Sequence, residues 1–191
     1  MTDITSDSVA ASRMSRSNTA AAGTAEPARA AQEDASHAEL VACMELLFFA
    51  YRDFTGGADA VLEEYGFGRA HHRVLHFVHR NPGLRVADLL DILKITKQSL
   101  ARVLKQLIDK GFIMQRAGND DRRERRLFVT AKGGRLSEKL TAQQIQHIEG
   151  ALAKSGPGAA EFARRFLFAM ITESDRPRVE TLVKIASATR A

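Results

Sequence analysis

One amphipathic segment, residues 96–110, does most to limit the folds that this chain can adopt. Its apolar residues are spaced i, i+3, i+4, i+7 and i+8, which places them on one helical stripe. They are Leu100, Val103, Leu104, Leu107 and Ile108. Thr96 stands where an N-cap would be, and Gly111 follows as the glycine that ends a helix. The segment therefore predicts an α-helix with one face packed on a core.

The opposite face of this predicted helix carries the chemistry of a nucleic-acid contact. Gln98, Arg102, Lys105 and Asp109 lie there, and Ser99, Ala101 and Gln106 flank them. Amide, guanidinium, ammonium and hydroxyl groups are the ones that bind base edges and phosphates. A shorter helix at residues 86–93, joined to Thr96 by two residues, completes a helix-turn-helix.

A charged hairpin follows, in which residues 112–116 and 127–131 are predicted as two strands. Its tip is interpreted either as a solvated loop or as a finger that contacts a polyanion. Residues 94–135 hold twelve basic and four acidic side chains, a net charge of +8, whereas the whole chain carries +5. This concentration favours the finger, and with it a winged helix whose second helix enters the major groove of DNA.

Two groups of contact residues are predicted for double-stranded DNA. Gln98 and Arg102 are expected to face base edges, while Arg123 is expected to enter the minor groove. Asp121 is expected to orient Arg123 through a charge-assisted hydrogen bond. The full predicted set of DNA contacts is Thr96, Lys97, Gln98, Ser99, Arg102, Lys105, Arg122, Arg123 and Arg125.

The MarR family of bacterial transcriptional regulators resembles this chain in two stretches, LRVADLLDILKITKQSLARVLKQLIDKGFIMQR at 84–116 and DRRERRLFVTAKG at 121–133. The family's wing usually reads Asp–any–Arg, with a Thr nine residues after the Asp and Lys-Gly shortly beyond. The matching residues here are Asp121, Arg123, Thr130, Lys132 and Gly133. Val129 replaces the usual Leu before the Thr.

This resemblance implies a sequence-specific regulator, a repressor that binds a pseudo-palindromic operator as a homodimer. The first and last helices of the subunits would interlock, and a small aromatic or phenolic effector would bind between them and the winged lobe. Apolar stripes on the first helix and around residues 162–170 independently favour such an interface. The alternative is that the two stripes pack on each other within one chain.

The predicted fold is mainly α with a small β-hairpin wing, in four regions. Residues 1–35 are a disordered tail, 36–66 the N-terminal dimerisation helix and connector, 67–135 the winged helix-turn-helix domain, and 136–191 the C-terminal dimerisation helices. The first helix is predicted to begin at Ser36 and to end before Gly56, with a short helical piece at 58–65.

Two features suggest a metal-responsive or redox-responsive regulator as an alternative. His72, His76 and His79, beside His71, share a helical face at spacing compatible with a metal, but no complete ligand set accompanies them. Cys43 is the only cysteine and has no activating cation nearby, so an inert buried thiol is expected. We therefore predict no metal and no cofactor.

Other classes of protein are less well supported. The chain carries no Walker loop, HExxH or nucleophile elbow, so it is not expected to be an enzyme. A non-specific architectural DNA-binding protein without a ligand stays open as an alternative. No apolar stretch long enough to span a membrane and no secretory signal is found, and the single cysteine fits a reducing compartment, which predicts a cytoplasmic protein.

Overall fold

The computed structural model describes residues 22–118 and 124–183, with side chains described from residue 34 onward. In chain order the elements are α1 (Ala22–Glu63), α2 (Arg69–Arg80), β1 (Leu84–Arg85), α3 (Val86–Leu93), α4 (Lys97–Asp109), β2 (Ile113–Ala117), β3 (Arg125–Val129), α5 (Ala131–Lys154), α6 (Ala159–Ala169), a 3-10 turn (Glu173–Asp175) and α7 (Arg176–Val183). The described residues are mainly helical and form one small antiparallel sheet, which confirms the predicted fold class.

Helix α1 differs from the prediction at both ends. It begins at Ala22 rather than at Ser36, and it continues through Gly56 to Glu63 without a break. Upstream, residues 22–35 are rich in Ala and other strong helix formers, which extend the helix past the expected cap. Downstream, burial of Leu62 in the core offsets the cost of helical glycine, about 1 kcal/mol each relative to Ala.

The chain divides into two compact units, Met1–Tyr51 and Arg52–Ala191, and α1 contributes to both. The hydrophobic core lies in the second unit, where the buried stripe predicted for α4 meets side chains of α2, α3, β2, β3 and α5. The largest fully buried residues are Phe112, Leu62, Leu75, Leu89, Leu100, Leu107, Ile113, Leu127 and Leu140. Ile108, predicted on the same stripe, is half-buried at its edge.

The sheet has the strand order β1-β3-β2, and both pairings are antiparallel. Leu127, at the centre of β3, pairs with Leu84 on one side and Gln115 on the other. β1 was not predicted, because two residues are too few to show an alternating pattern. The wing strands lie within two residues of their predicted positions.

A tight junction at Thr130 joins the wing to α5. The Thr130 hydroxyl accepts the Gly133 N–H at 3.1 Å and donates to the Gly111 carbonyl at 2.7 Å. Gly133 is required here, because a Cβ would lie 2.0 Å from the Phe112 carbonyl oxygen. This cap starts α5 at Ala131 instead of the predicted Leu136.

A short break separates α5, which ends at Lys154, from α6, which begins at Ala159. Gly156 and Gly158 lie in this break with φ values of 83° and 78°. α6 exposes large apolar side chains, namely Phe162, Phe166, Leu167 and Met170. In the first unit, α1 likewise exposes Leu40, Met44, Leu47, Phe48 and Tyr51. Within the described residues, no helix is both long enough and apolar enough to cross a membrane.

Candidate nucleic-acid interface

The N-terminus of α4 is capped and open to solvent. The Thr96 hydroxyl accepts the Ser99 N–H at 3.1 Å and donates to the Ser99 hydroxyl at 2.9 Å. The N–H groups of Lys97 and Gln98 have no carbonyl one turn earlier within the helix, as at any helix start. Residues 96–99 are all exposed, so this end can receive an anion. The cap predicted at Thr96 is confirmed.

The outward face of α4 has the composition and exposure predicted from its periodicity. Gln98, Arg102, Lys105 and Asp109 are exposed, opposite four buried apolar residues. Lys105 donates to Asp109 at 2.5 Å, one turn further along the helix. Gln98 and Arg102 make no such contact, so they remain available to another molecule. Lys105, in contrast, is already paired with Asp109.

The wing is a two-stranded hairpin closed by a hydrogen bond from the Gly118 N–H to the Glu124 carbonyl, at 2.9 Å. Arg125 begins β3 with an exposed side chain and pairs with Ala117 across the strands. Asp121, Arg122 and Arg123 lie outside the described residues, so their predicted roles stay predictions.

Several basic residues near the wing are engaged inside the protein. Lys110 donates to the Tyr65 carbonyl, and Lys132 donates to the Lys110 carbonyl at 2.9 Å. Both ammonium groups also lie over rings of the core, Lys132 at 4.2 Å from the centroid of Phe112. Lys110 thus connects the end of α4 to the segment that follows α1, and Lys132 connects α5 to the end of α4. Part of the predicted positive segment is therefore structural.

Other cations of the same segment are also paired. Arg116 lies over the Phe128 ring at 5.2 Å, and Arg126 pairs with Glu124 at 3.0 Å. Of the basic residues of 94–135 that the structure describes, Lys97, Arg102, Arg125 and Arg135 have neither an ion pair nor a hydrogen-bonded partner.

A groove between α4 and the hairpin brings the predicted residues of both elements together. Its volume is about 510 Å³, and its polar lining includes Lys97 and Lys105 from α4 and Arg125 from β3. Apolar side chains such as Leu90 and Leu104 form the floor. Three of the predicted DNA contacts therefore share one surface, although they come from residues up to 28 positions apart in the sequence.

The histidines of α2 are mostly packing residues. Burial lowers the pKa of His72, and the neighbouring His76 lowers it further. The pKa of His76 is lowered in the same way, by burial first and then by Arg80 and His79. Within the part of the chain that the structure describes, no group of three His, Cys, Asp or Glu side chains could hold a metal ion.

Cys43 differs from its prediction, because its side chain is exposed on α1 rather than buried. The reason is that the described residues 34–51 are exposed throughout, so nothing there covers the apolar side of the helix. The expectation of a buried thiol was therefore wrong for the single chain.

Two sets of contacts around the helix-turn-helix were not found from the sequence. His71 lies 2.6 Å from the side-chain oxygen of Gln106 on α4, and its other ring nitrogen accepts the Gly68 N–H at 3.1 Å. Near the C-terminus, Asp175 and Arg178 reach α3 and the turn that follows it. Contacts across 35 to 90 residues leave no periodic signal in a sequence.

These elements define a winged helix-turn-helix of the kind that binds DNA, and comparisons agree with that class. Residues 65–124 match the MarR family. The HTH-type transcriptional regulator PetP of Rhodobacter capsulatus is 43% identical over 139 residues, which cover 73% of this chain and 84% of PetP. The chain belongs to the MarR family of transcriptional regulators, whose members are regulators and not enzymes.

Solved structures show the same fold at low sequence identity. The transcriptional regulator SlyA superposes with a TM-score of 0.59 at 18% identity, over 74% of this chain and 95% of SlyA. MepR of S. aureus, solved as a DNA complex, superposes with a TM-score of 0.56 at 20% identity, over 66% of this chain and 94% of MepR.

Proposed function

We propose that this protein is a homodimeric repressor that binds a pseudo-palindromic operator and is released from it by a small aromatic or phenolic effector. The observation that carries the proposal is the outward face of α4, where Gln98 and Arg102 are exposed and unpaired beside a capped, open helix end. The MepR–DNA complex among the structural neighbours supports double-stranded DNA as the partner.

Different roles are proposed for the two DNA-contacting elements. Gln98 and Arg102 read base edges, while Thr96 and Ser99 hold the helix end against a phosphate. The remaining predicted contacts supply charge to the backbone or minor groove, and Asp121 orients Arg123. These remaining contacts are Lys97, Lys105, Arg122, Arg123 and Arg125. Of the wing contacts, Arg125 is the one among the described residues, and it lies on the same groove as Lys97 and Lys105.

Selection of duplexes from a random-sequence pool by the purified protein tests sequence-specific binding. We expect enrichment of one motif with two related half-sites. The reason is that a two-fold dimer presents two copies of α4, the recognition helix that enters the major groove. If the protein instead coats every duplex with equal affinity, it is an architectural DNA-binding protein and the proposal is wrong.

The dimer is proposed from the apolar side chains on α1 and α6. Phe48 is 63% exposed and Phe162 is 64% exposed in the single chain. Stripes of such exposed apolar side chains, on helices near both ends of a chain, are typical of an interface between subunits.

Light scattering of charge-substituted variants tests this interface. Phe48→Glu and Phe166→Glu should shift the dimer toward monomer or aggregate, because each buries a carboxylate in the interface. Leu46→Glu is the matched control, since helical periodicity places Leu46 on the other side of α1. A folded monomer from the unsubstituted protein would exclude the dimer.

Release by an effector is proposed from family membership. A ligand can weaken operator binding only if it binds better to a spacing of the two lobes that does not match the operator. A panel of benzoic and phenolic acids should therefore contain a compound that lowers affinity for the selected duplex. If such acids leave the affinity unchanged, this part of the proposal fails.

A further inference from the structure

The C-terminal residues 173–183 contact the helix-turn-helix through two ion pairs. The Lys94 ammonium donates to Asp175 at 3.1 Å, and the Arg178 guanidinium donates to Asp91 at 3.3 Å. Arg178 also lies 3.5 Å from the Asp88 carbonyl oxygen. Asp88 itself is occupied by Arg85, which makes two hydrogen bonds of 2.7 Å to its carboxylate.

Both α3 partners stand at positions that control the helix-turn-helix. Lys94 is the C-cap of α3, with a left-handed φ of 51°, and it starts the turn into α4. Asp91 is one turn earlier on the exposed side of α3. The two ion pairs therefore hold the end of α3 and its turn, on the side away from the buried Leu89 and Leu93.

The same C-terminal residues are also bound to α6. Arg176 donates to the Ala169 carbonyl at 3.0 Å and to the Ile171 carbonyl at 3.1 Å, and so caps the end of α6. Its guanidinium lies 6.0 Å from the Phe168 ring centroid. Three nearby charged residues, Asp175, Arg176 and Arg178, thus bind α6 on one side and α3 on the other.

We propose that residues 173–183 form a C-terminal bracket that sets the position of the helix-turn-helix relative to α6, with Asp175 and Arg178 as positioning residues for DNA binding. This rests on the proposed function, in which α6 belongs to the dimer interface. Because the bracket links that helix to α3 of the same chain, it determines how far apart the two recognition helices of the dimer lie.

The ion pairs of the bracket are well suited to an adjustable link. Their side chains are between 34% and 64% exposed, so each pair contributes little and is weakened by salt. The packing of α3 on α4, in contrast, depends on buried leucines that do not involve residues 173–183. Breaking the bracket should change the spacing of the lobes without unfolding either lobe.

Charge exchange between Arg178 and Asp91 tests the bracket. The probes are the duplex selected by the purified wild-type protein from a random pool, and a half-site duplex cut from it. Arg178→Asp should lower affinity for the full duplex about three- to tenfold, because it replaces a weak attraction with a repulsion. The double variant Arg178→Asp with Asp91→Arg should restore it.

The half-site duplex separates positioning from simple damage to the fold. The helix-turn-helix and wing of one subunit bind a half-site whatever the spacing between the two subunits' recognition helices. Arg178→Asp should therefore change half-site affinity no more than the control Lys154→Asp. This control makes the same charge change at the end of α5. An equal loss on both duplexes, or a double variant that stays weak, would overturn the bracket.

Amide hydrogen exchange without DNA provides a second measurement. Exchange in residues 173–183 should be faster in Arg178→Asp and return to the wild-type rate in the double variant. Unchanged exchange would overturn the bracket. If the selection enriches no duplex, the proposed function fails, while the exchange rates still decide whether the bracket exists.

Discussion

Substitution of Gly133 by Ala should damage the junction that holds the wing. The Cβ of Ala would lie 2.0 Å from the Phe112 carbonyl oxygen, which is backbone and cannot rotate away. That carbonyl also accepts the Thr130 N–H at 3.0 Å, the bond that joins the end of β3 to the start of β2. One methyl group therefore forces the root of the wing to move.

The size of the effect follows from these contacts. Overpacking at a site that cannot relax freely costs about 1–3 kcal/mol, and a lost backbone hydrogen bond adds about 0.5–1.5 kcal/mol. We expect Gly133→Ala to lower the free energy of unfolding by about 2–4 kcal/mol. Because β2 and β3 carry the wing, affinity for the selected duplex should fall as well.

Urea unfolding followed by circular dichroism, at one fixed protein concentration, measures this change. Gly57→Ala is the matched control, since Gly57 is helical and a Cβ there meets nothing within 4 Å. That variant should be more stable than wild type by about 0.4–1 kcal/mol. Equal unfolding midpoints for Gly133→Ala and wild type would refute the reasoning from close approach.

Two further predictions concern the interface and pH. Gln98→Ala and Arg102→Ala should each lower the binding free energy for the selected duplex by about 1–3 kcal/mol, and that for a scrambled duplex far less. Arg123→Ala should instead weaken binding to both duplexes alike. Equal losses in all three variants would contradict the division of roles. Stability should fall as the pH drops from 7 to 5, because the folded-state pKa values of His72 and His76 lie below the ordinary 6.5, so the unfolded chain binds more protons. His76→Gln should flatten this dependence in urea titrations, and an unchanged slope would count against it.

Local patterns in the sequence were sufficient for the helix-turn-helix and the wing. The stripe on α4, the cap at Thr96 and the glycine at Gly111 all act over a few residues, so their consequences are visible in the sequence. The exposed face with Gln98 and Arg102 follows directly from that periodicity. The MarR-type motif lies in the same segments, so it too is visible without any contact between distant elements.

The bounds of α1 were predicted wrongly because local sequence signals conflicted with packing. Gly56 predicted the end of a helix, yet α1 continues because Leu62, six residues later, is buried in the core. Likewise, residues 22–35 read as a tail, although their helix propensity lets them extend a helix that begins at Ala22. The energy of burial is larger than the local cost of a glycine, and it depends on neighbours distant in the sequence.

Only the tertiary structure decided which basic side chains are paired within the protein and which are exposed to solvent. By sequence, the basic residues of 94–135 are one cluster, but the fold binds Lys110 and Lys132 to carbonyl groups and leaves Arg102 exposed to solvent. Periodicity determines which face of a helix a side chain occupies. Whether that side chain finds an ion-pair or hydrogen-bond partner depends on chain segments that folding brings together. Asp175, for example, is brought to Lys94 across 81 residues.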